Sequence, residues 1–597
     1  MPENGILRSW KEIANYLKCD RKTCARWEAQ FGLPIHRIDP ESPRSRVFAY
    51  PEELDDWMAE RQSRLDTAAI PGTAEQPKKR KIPSLALALT ILVVSGPVAW
   101  ITIRNVFRSP FPPIVAVAPF EAPKNDVTFD YIAEGLKMQL IERLSLSGDV
   151  LVMRLPAGVA GSMDSDGGGL VPPRTDYIIR NEIAELPEKD KFRWTLHLID
   201  FEKKQDLWDM TYQADTPGLF QNISEAVSGI RRALDLGEIP KPTRISRDVT
   251  GAFVDTLRGS FILSKIGSKD KDTNTLYLEG KYYSNLGDEQ ANELAILSFQ
   301  NALLKDPAFG PGLIGLAACY TNYVNFGWKT DLAWLDKAEE LLSRANPYSQ
   351  ENPEFYRQSI ETRMLRDFFS GRESFPAYFE LAARGQAISP YHGGLNSIVG
   401  FCHFRRYELY GQDKDLDEAL RLKELAYLAE PYSINNIVYA QVLTLKRRFS
   451  DALGVCAQVQ QVLKTDFVTL QAAEAHYYQG DMDACEPAFA SIREDLSART
   501  YALSFLGMIA AQRGNRAAAE EALREIELSA PQNSEKAIGK LRRASIYAGL
   551  GDEANALDLM AQIFQPDSKN GGNYVYRRLI ELDRNFENLR PRIKLYY

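Results

Sequence analysis

Residues 276–309, LYLEGKYYSNLGDEQANELAILSFQNALLKDPAF, decide how most of this chain folds. Apolar and small residues recur at helical spacing in LYLEGKYYSNLG and again in ANELAILSFQNALLKDPAF, which indicates two consecutive helices. Related stretches follow one another almost to the C-terminus. From about Asn274 the pattern therefore predicts about eight helix pairs, some degenerate, each stacking on the next and burying one continuous core.

The helix pairs resemble tetratricopeptide repeats. The residues that carry the resemblance in the first unit are Leu276, Gly280, Tyr283, Ala295, Phe299, Ala302 and Pro307. The resemblance implies an α-solenoid over residues 248–597 with a concave groove for a peptide or protein partner, although a spacer without any ligand fits the same pattern. Residues 574–595, YVYRRLIELDRNFENLRPRIKL, are predicted to be a capping segment.

A second feature is the uncharged stretch of residues 82–103, IPSLALALTILVVSGPVAWITI. About 20 apolar residues cross the hydrocarbon core of a bilayer, so a single transmembrane helix is expected. The cluster KKRK at residues 78–81 precedes it and favours a cytoplasmic N-terminus in the cytoplasmic (inner) membrane, with a periplasmic or extracytoplasmic C-terminus. A cleaved signal peptide and a buried core helix are the weaker alternatives.

The head, residues 1–65, has the pattern of helix, turn, helix, hairpin and helix. Ser9 with Glu12 predicts a capping box for the first helix, and Asp20 is a plausible cap for the second. Two short strands are expected at 35–38 and 47–50, and Pro51 opens a third helix. The head resembles the MerR/excisionase-like winged helix-turn-helix family, in SWKEIANYL, RKTCARWE and SRVFAYPEELDDW.

The candidate binding residues of the head are basic or hydroxyl side chains. Those on the second helix lie near its N-terminal end, which in a recognition helix reaches base edges in the major groove of double-stranded DNA. The resemblance implies that the basic residues of the wing loop follow phosphate or the adjacent minor groove. The predicted DNA-binding residues are Arg21, Lys22, Thr23, Arg26, Arg44, Ser45 and Arg46. A solvated helix face and a protein-binding module are the alternatives.

Residues 66–81 lack periodicity and are expected to be a flexible basic linker. Residues 112–240 alternate between strand and helix patterns and predict an α/β sandwich. They resemble the TolB-N-like module, in IVAVAPF, FDYIAEGLKMQLIERLS, TDYIIRNEI and WTLHLIDFEKKQDLWDMTY. The predicted fold class is therefore multidomain: winged helix-turn-helix, single transmembrane helix, α/β sandwich and α-solenoid of tetratricopeptide-type helix pairs.

Composition and motifs argue against an enzyme. The net charge is −8, but residues 1–81 carry 15 Lys and Arg against 13 Asp and Glu, so the long remainder is acidic and a poor general binder of nucleic acid. Catalytic residues, cofactors and metal sites are not predicted, because no nucleophile elbow, HExxH or Walker loop occurs and the five histidines are scattered. The six cysteines form no CxxC pair, and their spacing does not support a disulfide.

Together these features resemble a CadC/ToxR-type arrangement, a one-component transmembrane transcription regulator with a MerR-like head. The expected partners are double-stranded DNA, the lipid bilayer and a peptide or protein in the repeat groove, with a homodimer on DNA. The rival expectation is a membrane-anchored repeat scaffold for protein–protein interaction without DNA binding.

Overall fold

A computed structural model divides the protein into two units, residues 1–107 and 108–597. The residues that the structure describes are 7, 9–17, 24, 28, 33–37, 47–55, 112–121, 127–146, 148–156, 174–188, 191–236, 268, 270–493, 495–529, 536–564 and 574–594. The predicted linker at 66–81 and the predicted span at 82–103 lie outside these residues. Of the helices that are described, none combines the length and the apolar content that a bilayer crossing requires.

The described part of the head contains helix α1 (Trp10–Tyr16), strands β1 (His36–Arg37) and β2 (Val47–Phe48), and helical residues 51–55. The Ser9 hydroxyl accepts a hydrogen bond from the Glu12 amide at 3.3 Å and donates one to the Glu12 carboxylate at 3.0 Å, which confirms the predicted cap. β1 and β2 pair antiparallel, as the hairpin pattern predicts. Their shared core consists of Leu7, Ile13, Ala14, Cys24, Leu33, Val47, Ala49 and Leu54.

The second unit begins with a five-stranded mixed sheet. Its strands are β3 (Ile114–Glu121), β4 (Leu151–Arg154), β5 (Tyr177–Glu185), β6 (Lys191–Asp200) and β7 (Gln205–Asp215), in the spatial order β4-β3-β5-β6-β7. β3 is parallel to β4 and β5, and the remaining neighbours are antiparallel. Helices α2 (Val127–Ser145) and α3 (Thr216–Ala233) complete this α/β layer, whose element order agrees with the prediction.

The two faces of the parallel strands enter different cores. Because side chains alternate along a strand, Val115 and Val152 point to α2 and α3, whereas Ile114 and Met153 join the core of the repeats. Ser389 of the repeats donates a hydrogen bond to the Ser145 carbonyl at 2.8 Å across the same boundary. The α/β layer therefore shares a hydrophobic core with the repeats.

Eight helix pairs follow within the described residues, in agreement with the predicted number. Pairs one to four are α4 (Lys271–Ser284) with α5 (Glu289–Lys305), α6 (Gly310–Asn325) with α7 (Ala333–Ser349), α8 (Pro353–Ser370) with α9 (Phe375–Ile388), and α10 (Gly393–Tyr410) with α11 (Asp413–Ala429). Pairs five to eight are α12 (Asn436–Leu445) with α13 (Phe449–Gln460), α14 (Asp466–Gln479) with α15 (Met482–Ser491), α16 (Leu496–Gln512) with α17 (Arg516–Ser529), and α18 (Ala537–Gly549) with α19 (Glu553–Ile563).

Cysteines lie inside this array and in the head. The five that the structure describes, Cys24, Cys319, Cys402, Cys456 and Cys485, are buried and form no disulfide with one another.

Small residues permit the close helix contacts that the sequence pattern predicts. Phe299 is fully buried, and its ring lies against Gly280 and Gly315; a Cβ atom built on either glycine would come within 2.7 Å of the ring. Replacing Gly280 by alanine is therefore expected to lower the free energy of unfolding by about 1–2 kcal/mol, since overpacking outweighs the better helix propensity of alanine. Urea unfolding measures the change.

The matched control is Gly454, an exposed glycine of α13 whose added Cβ would meet nothing within 4 Å. Gly454→Ala is expected to raise the free energy of unfolding by about 0.5–1 kcal/mol. Equal effects of the two substitutions would show that the Phe299 contact imposes no constraint.

The C-terminal segment comprises α20 (Tyr574–Leu582), a short 3-10 helix (Arg584–Phe586) and α21 (Arg590–Ile593). The segment packs on the eighth pair, as a cap would, but it also extends past that pair: α20 contacts α10 and α12, and the 3-10 helix contacts α16 and α18. Residues 574–594 thus run along the array from the fourth pair to the eighth.

Candidate protein-binding groove

The first helices of pairs four to eight, namely α10, α12, α14, α16 and α18, form a surface that we call the first-helix groove. Residues 574–594 occupy it and bury seven apolar side chains: Val575, Leu579, Ile580, Leu582, Phe586, Leu589 and Ile593. These join one hydrophobic core with residues of α10, α12, α18 and α19. Burial of each such side chain contributes about 1.5–3 kcal/mol, so apolar contacts hold the segment in the groove.

A buried carboxylate fixes the register of the segment. Asp583 accepts hydrogen bonds from the Tyr477 hydroxyl of α14 at 2.8 Å and from the Ser545 hydroxyl of α18 at 2.5 Å. It also caps the 3-10 helix by accepting from the Asn585 amide at 3.0 Å. Burial raises the pKa of the Asp583 carboxyl above its usual range, and the Ser545 and Tyr477 hydroxyls oppose this change. Two groove hydroxyls therefore recognise one acidic side chain.

Further contacts anchor both sides of Asp583. The Asn585 carboxamide donates to the Met508 carbonyl of α16 at 3.1 Å. Arg578 donates to the Tyr407 hydroxyl of α10 at 3.2 Å and to the Asp413 carboxylate at 3.1 Å. The ring of Tyr574 lies directly over Gly411, which has a φ of 66° and no space for a Cβ atom. The segment is thus bound by side-chain hydrogen bonds as well as by apolar burial.

The groove also holds two buried side chains of opposite charge. Glu474 of α14 is buried, and burial raises its pKa. Arg542 of α18 is buried with its guanidinium over the rings of Tyr501 and Phe505, and burial lowers its pKa to about 10. A small cavity near Arg542 and Asp583 is lined by residues of both the groove and the segment. The centre of the groove is therefore polar.

The residues predicted to bind DNA are not part of this site. Arg21, Lys22, Thr23, Arg26, Arg44, Ser45 and Arg46 all lie outside the described residues. Cys24, between two of them in sequence, is fully buried in the core of the head, as its place on the apolar face of the second helix predicts. His36, predicted to be a surface residue of a strand, has Nε2 2.6 Å from the Glu53 carboxylate.

Sequence reasoning missed the central residue of the groove. It interpreted Tyr477 and Tyr478 as helix-packing residues, and Tyr477 does pack on Phe505, but its hydroxyl also binds Asp583. The available signal was two acidic residues, Glu581 and Asp583, among apolar ones in LIELDRNF, which alone does not distinguish a buried carboxylate from an exposed one. Within the described residues, no group of three metal-ligating side chains comes together.

Comparisons with known proteins give only distant structural similarity. Neither a protein family nor a curated protein matches the sequence. Among solved structures, TTC0263, a thermophilic TPR protein of Thermus thermophilus, is 15% identical, with a TM-score of 0.27, and the match covers 34% of this chain and 99% of that one. Human IFIT1 dimers with PPP-AAAA and with m7Gppp-AAAA are 12% and 14% identical, with TM-scores of 0.31 and 0.30.

The two IFIT1 matches cover 58% of this chain and 81% and 80% of theirs. The assignment of repeat-type helix pairs therefore rests on the helices of this chain itself.

Proposed function

We propose that the chain is a protein-interaction scaffold whose first-helix groove binds a segment of a partner protein. The observation that supports this proposal is the recognition of Asp583 by Tyr477 and Ser545. A segment that merely filled the groove would need only apolar contacts. An apolar residue in place of Asp583 would instead leave the protons of two buried hydroxyls without the acceptor that they have here, which costs about 1–3 kcal/mol for each group.

The contacts define the partner segment that fits. It carries an acidic residue with an apolar residue four positions before it and another three positions after it, as Leu579, Asp583 and Phe586 do in the resident segment. On this proposal residues 574–594 are the resident occupant, and a partner segment competes with them for the same hydroxyls.

A cleavable version of the full chain tests the groove without removing any part of it. A protease site is placed within residues 566–572, the folded protein is cut, and a fluorescent 574–594 peptide is added in excess. We expect saturable exchange of the labelled peptide for the cut segment, measured by anisotropy. An Asp583→Ala peptide is expected to bind at least about 10-fold more weakly, because two hydrogen bonds to a charged group are lost.

The control peptide carries Glu587→Ala, which removes the same charge from an exposed position. It should bind like the unmodified peptide. If both substitutions weaken binding equally, binding depends on the net charge of the peptide and not on specific recognition of Asp583. A cut segment that leaves only when the protein unfolds would contradict a binding groove altogether.

The second candidate function is a membrane-anchored transcription regulator. The observation that favours it is the head core, in which α1, Cys24 and the β1–β2 hairpin pack together. On this proposal the head lies in the cytoplasm, residues 82–103 span the membrane once, and the repeats receive a signal on the far side.

Binding of the full chain to its own upstream DNA across a salt series tests the second candidate. Arg21→Ala and Arg26→Ala should weaken binding and reduce its salt dependence, since each removes a cation from the predicted contact with DNA. Lys11→Ala is the control, because Lys11 is exposed on α1 and is not one of the predicted DNA-binding residues. Equal binding by the parent and both arginine variants would exclude this use of the head.

A further inference from the structure

Helix α5, the second helix of pair one, is apolar on two opposite faces. Ala295, Phe299 and Ala302 form its buried face. On the other face Leu294, Leu297 and Leu304 are 41%, 55% and 80% exposed. The exposed fractions of these three leucines add up to nearly that of two fully exposed leucines. Leucine side chains are usually buried in a hydrophobic core. The second face is therefore an apolar surface that the described residues leave exposed.

The spacing along this face follows a heptad pattern. Gln290, Leu294, Leu297, Asn301 and Leu304 are separated in turn by four, three, four and three residues. This is the spacing of the a and d positions that form the seam of a coiled coil. Leu297 and Leu304 occupy d positions, while Leu294 and Asn301 occupy a positions. We call these five residues the α5 seam.

The α5 seam is complementary to itself. Leucine at d with a single asparagine at a favours two parallel helices, because the asparagine fixes the register and the number of strands. A carboxamide both donates and accepts, so Asn301 can pair with Asn301 of a second copy about a twofold axis. A partner of different sequence would have to supply a matching asparagine in the same register, whereas a second copy of this chain supplies it automatically.

The size of the seam sets the strength of the contact. One helix of 17 residues with three exposed leucines offers less area than the roughly 800 Å² per partner of a standard stable interface. Association is therefore weak and reversible rather than permanent. Association through this helix becomes significant where the local concentration of the chain is high, as on a membrane or on adjacent DNA sites.

We propose that the α5 seam is a self-association surface through which two copies of this chain form a parallel, twofold-symmetric dimer. The inference is independent of the first-helix groove, which lies on pairs four to eight.

Sedimentation velocity of the full chain in detergent, from about 1 µM to about 100 µM, tests the dimer. We expect a reversible monomer–dimer equilibrium in this range. Leu297→Asp and Leu304→Asp should each weaken it by at least about 100-fold, because a carboxylate would be buried against its own copy. The control is Leu528→Asp, which changes a leucine of α17 that is 83% exposed and should leave the equilibrium unchanged.

A cysteine at the centre of the seam tests the parallel geometry. Residues at matching a positions of two parallel helices face each other, so Asn301→Cys should form a disulfide between copies under mild oxidation. The five described cysteines of the chain are buried, and Leu528→Cys serves as the exposed control that should not cross-link. Circular dichroism of each variant confirms that the fold is retained.

Other results would contradict the proposal or part of it. A chain that stays monomeric over the whole range, or a dimer that Leu297→Asp leaves intact, overturns the proposal. A dimer without the Asn301→Cys cross-link overturns the parallel arrangement. A monomer that loses binding to phosphatidylcholine vesicles on Leu297→Asp would assign the seam to lipid instead.

Discussion

Replacing Asp149 by alanine is expected to lower the free energy of unfolding by about 2–4 kcal/mol, less than for a fully buried pair because about a third of the Asp149 side chain is exposed. Arg231 of α3 is almost completely buried and donates two parallel hydrogen bonds, each of 2.7 Å, to the two carboxylate oxygens of Asp149. Removal of the carboxylate leaves a buried guanidinium without its counter-charge. Urea unfolding followed by tryptophan fluorescence measures the loss.

Two further variants separate the buried pair from a general charge effect. Glu188→Ala removes one partner of the exposed ion pair with Lys191 and should change stability by less than about 1 kcal/mol. The double variant Asp149→Ala/Arg231→Leu should recover part of the lost stability, since no unpaired charge then remains. If Asp149→Ala costs no more than Glu188→Ala, the buried pair does not stabilise the layer.

Local patterns predicted the elements of this fold well. Alternation in strand β6 predicted Trp194, Leu196 and Leu198 on one face, and all three are fully buried there. The small residues at helix crossings were predicted as well, and Gly280 and Gly507 each lie against a neighbouring helix with no space for a Cβ atom. Such features depend on residues a few positions apart, so a single sequence contains the necessary information.

Contacts between distant elements could not be predicted in the same way. Asp583 binds Tyr477, 106 residues earlier, and nothing in the local pattern of either residue specifies the other. An amphipathic segment at the end of a repeat array suggests a cap. The same pattern is equally compatible with a segment that packs along the first helices of several pairs. The shared core of the sheet and the repeats escaped prediction for the same reason, because β3 and β4 show apolar residues on both faces whichever element covers them.

The stability of the repeats is expected to decline with acid, and Glu354 is the carboxylate of the repeats that contributes to this decline at the lowest pH. Burial alone would raise the pKa of Glu354, but Arg357, at 2.7 Å, together with Lys281 and His392 outweighs it and lowers the pKa to about 2. An unfolded glutamate titrates near 4.5. The folded state therefore binds fewer protons between these values, and its stabilisation is complete above pH 4.5 and disappears as the pH falls toward 2.

At higher pH the decline includes a contribution from His392, which caps α10 by accepting a hydrogen bond from the Leu395 amide at Nδ1, at 3.1 Å. Burial lowers the pKa of this imidazole below its usual value of 6.5. Protonation also removes the acceptor, so stability is lost as the pH falls below 6.5. Glu142, which belongs to the same cluster and whose pKa burial raises, contributes with the opposite sign.

Difference measurements isolate Glu354 from its neighbours. Glu354→Gln should destabilise the protein by about 1–3 kcal/mol at pH 7, less than the full pKa difference implies because about a quarter of the side chain is exposed. The difference from the parent should shrink below pH 4.5 and vanish near pH 2, since the protonated parent then resembles the variant. Urea midpoints from pH 2 to pH 8 provide the curve, measured in a Glu142→Gln background because the Glu354 charge contributes to the raised pKa of Glu142. His392→Asn keeps a capping side chain and should reduce the loss of stability below pH 6.5, to which His403, whose pKa burial also lowers, still contributes. A Glu354→Gln difference that stays constant over the whole range would mean that the ion pair with Arg357 is not what stabilises this end of α8.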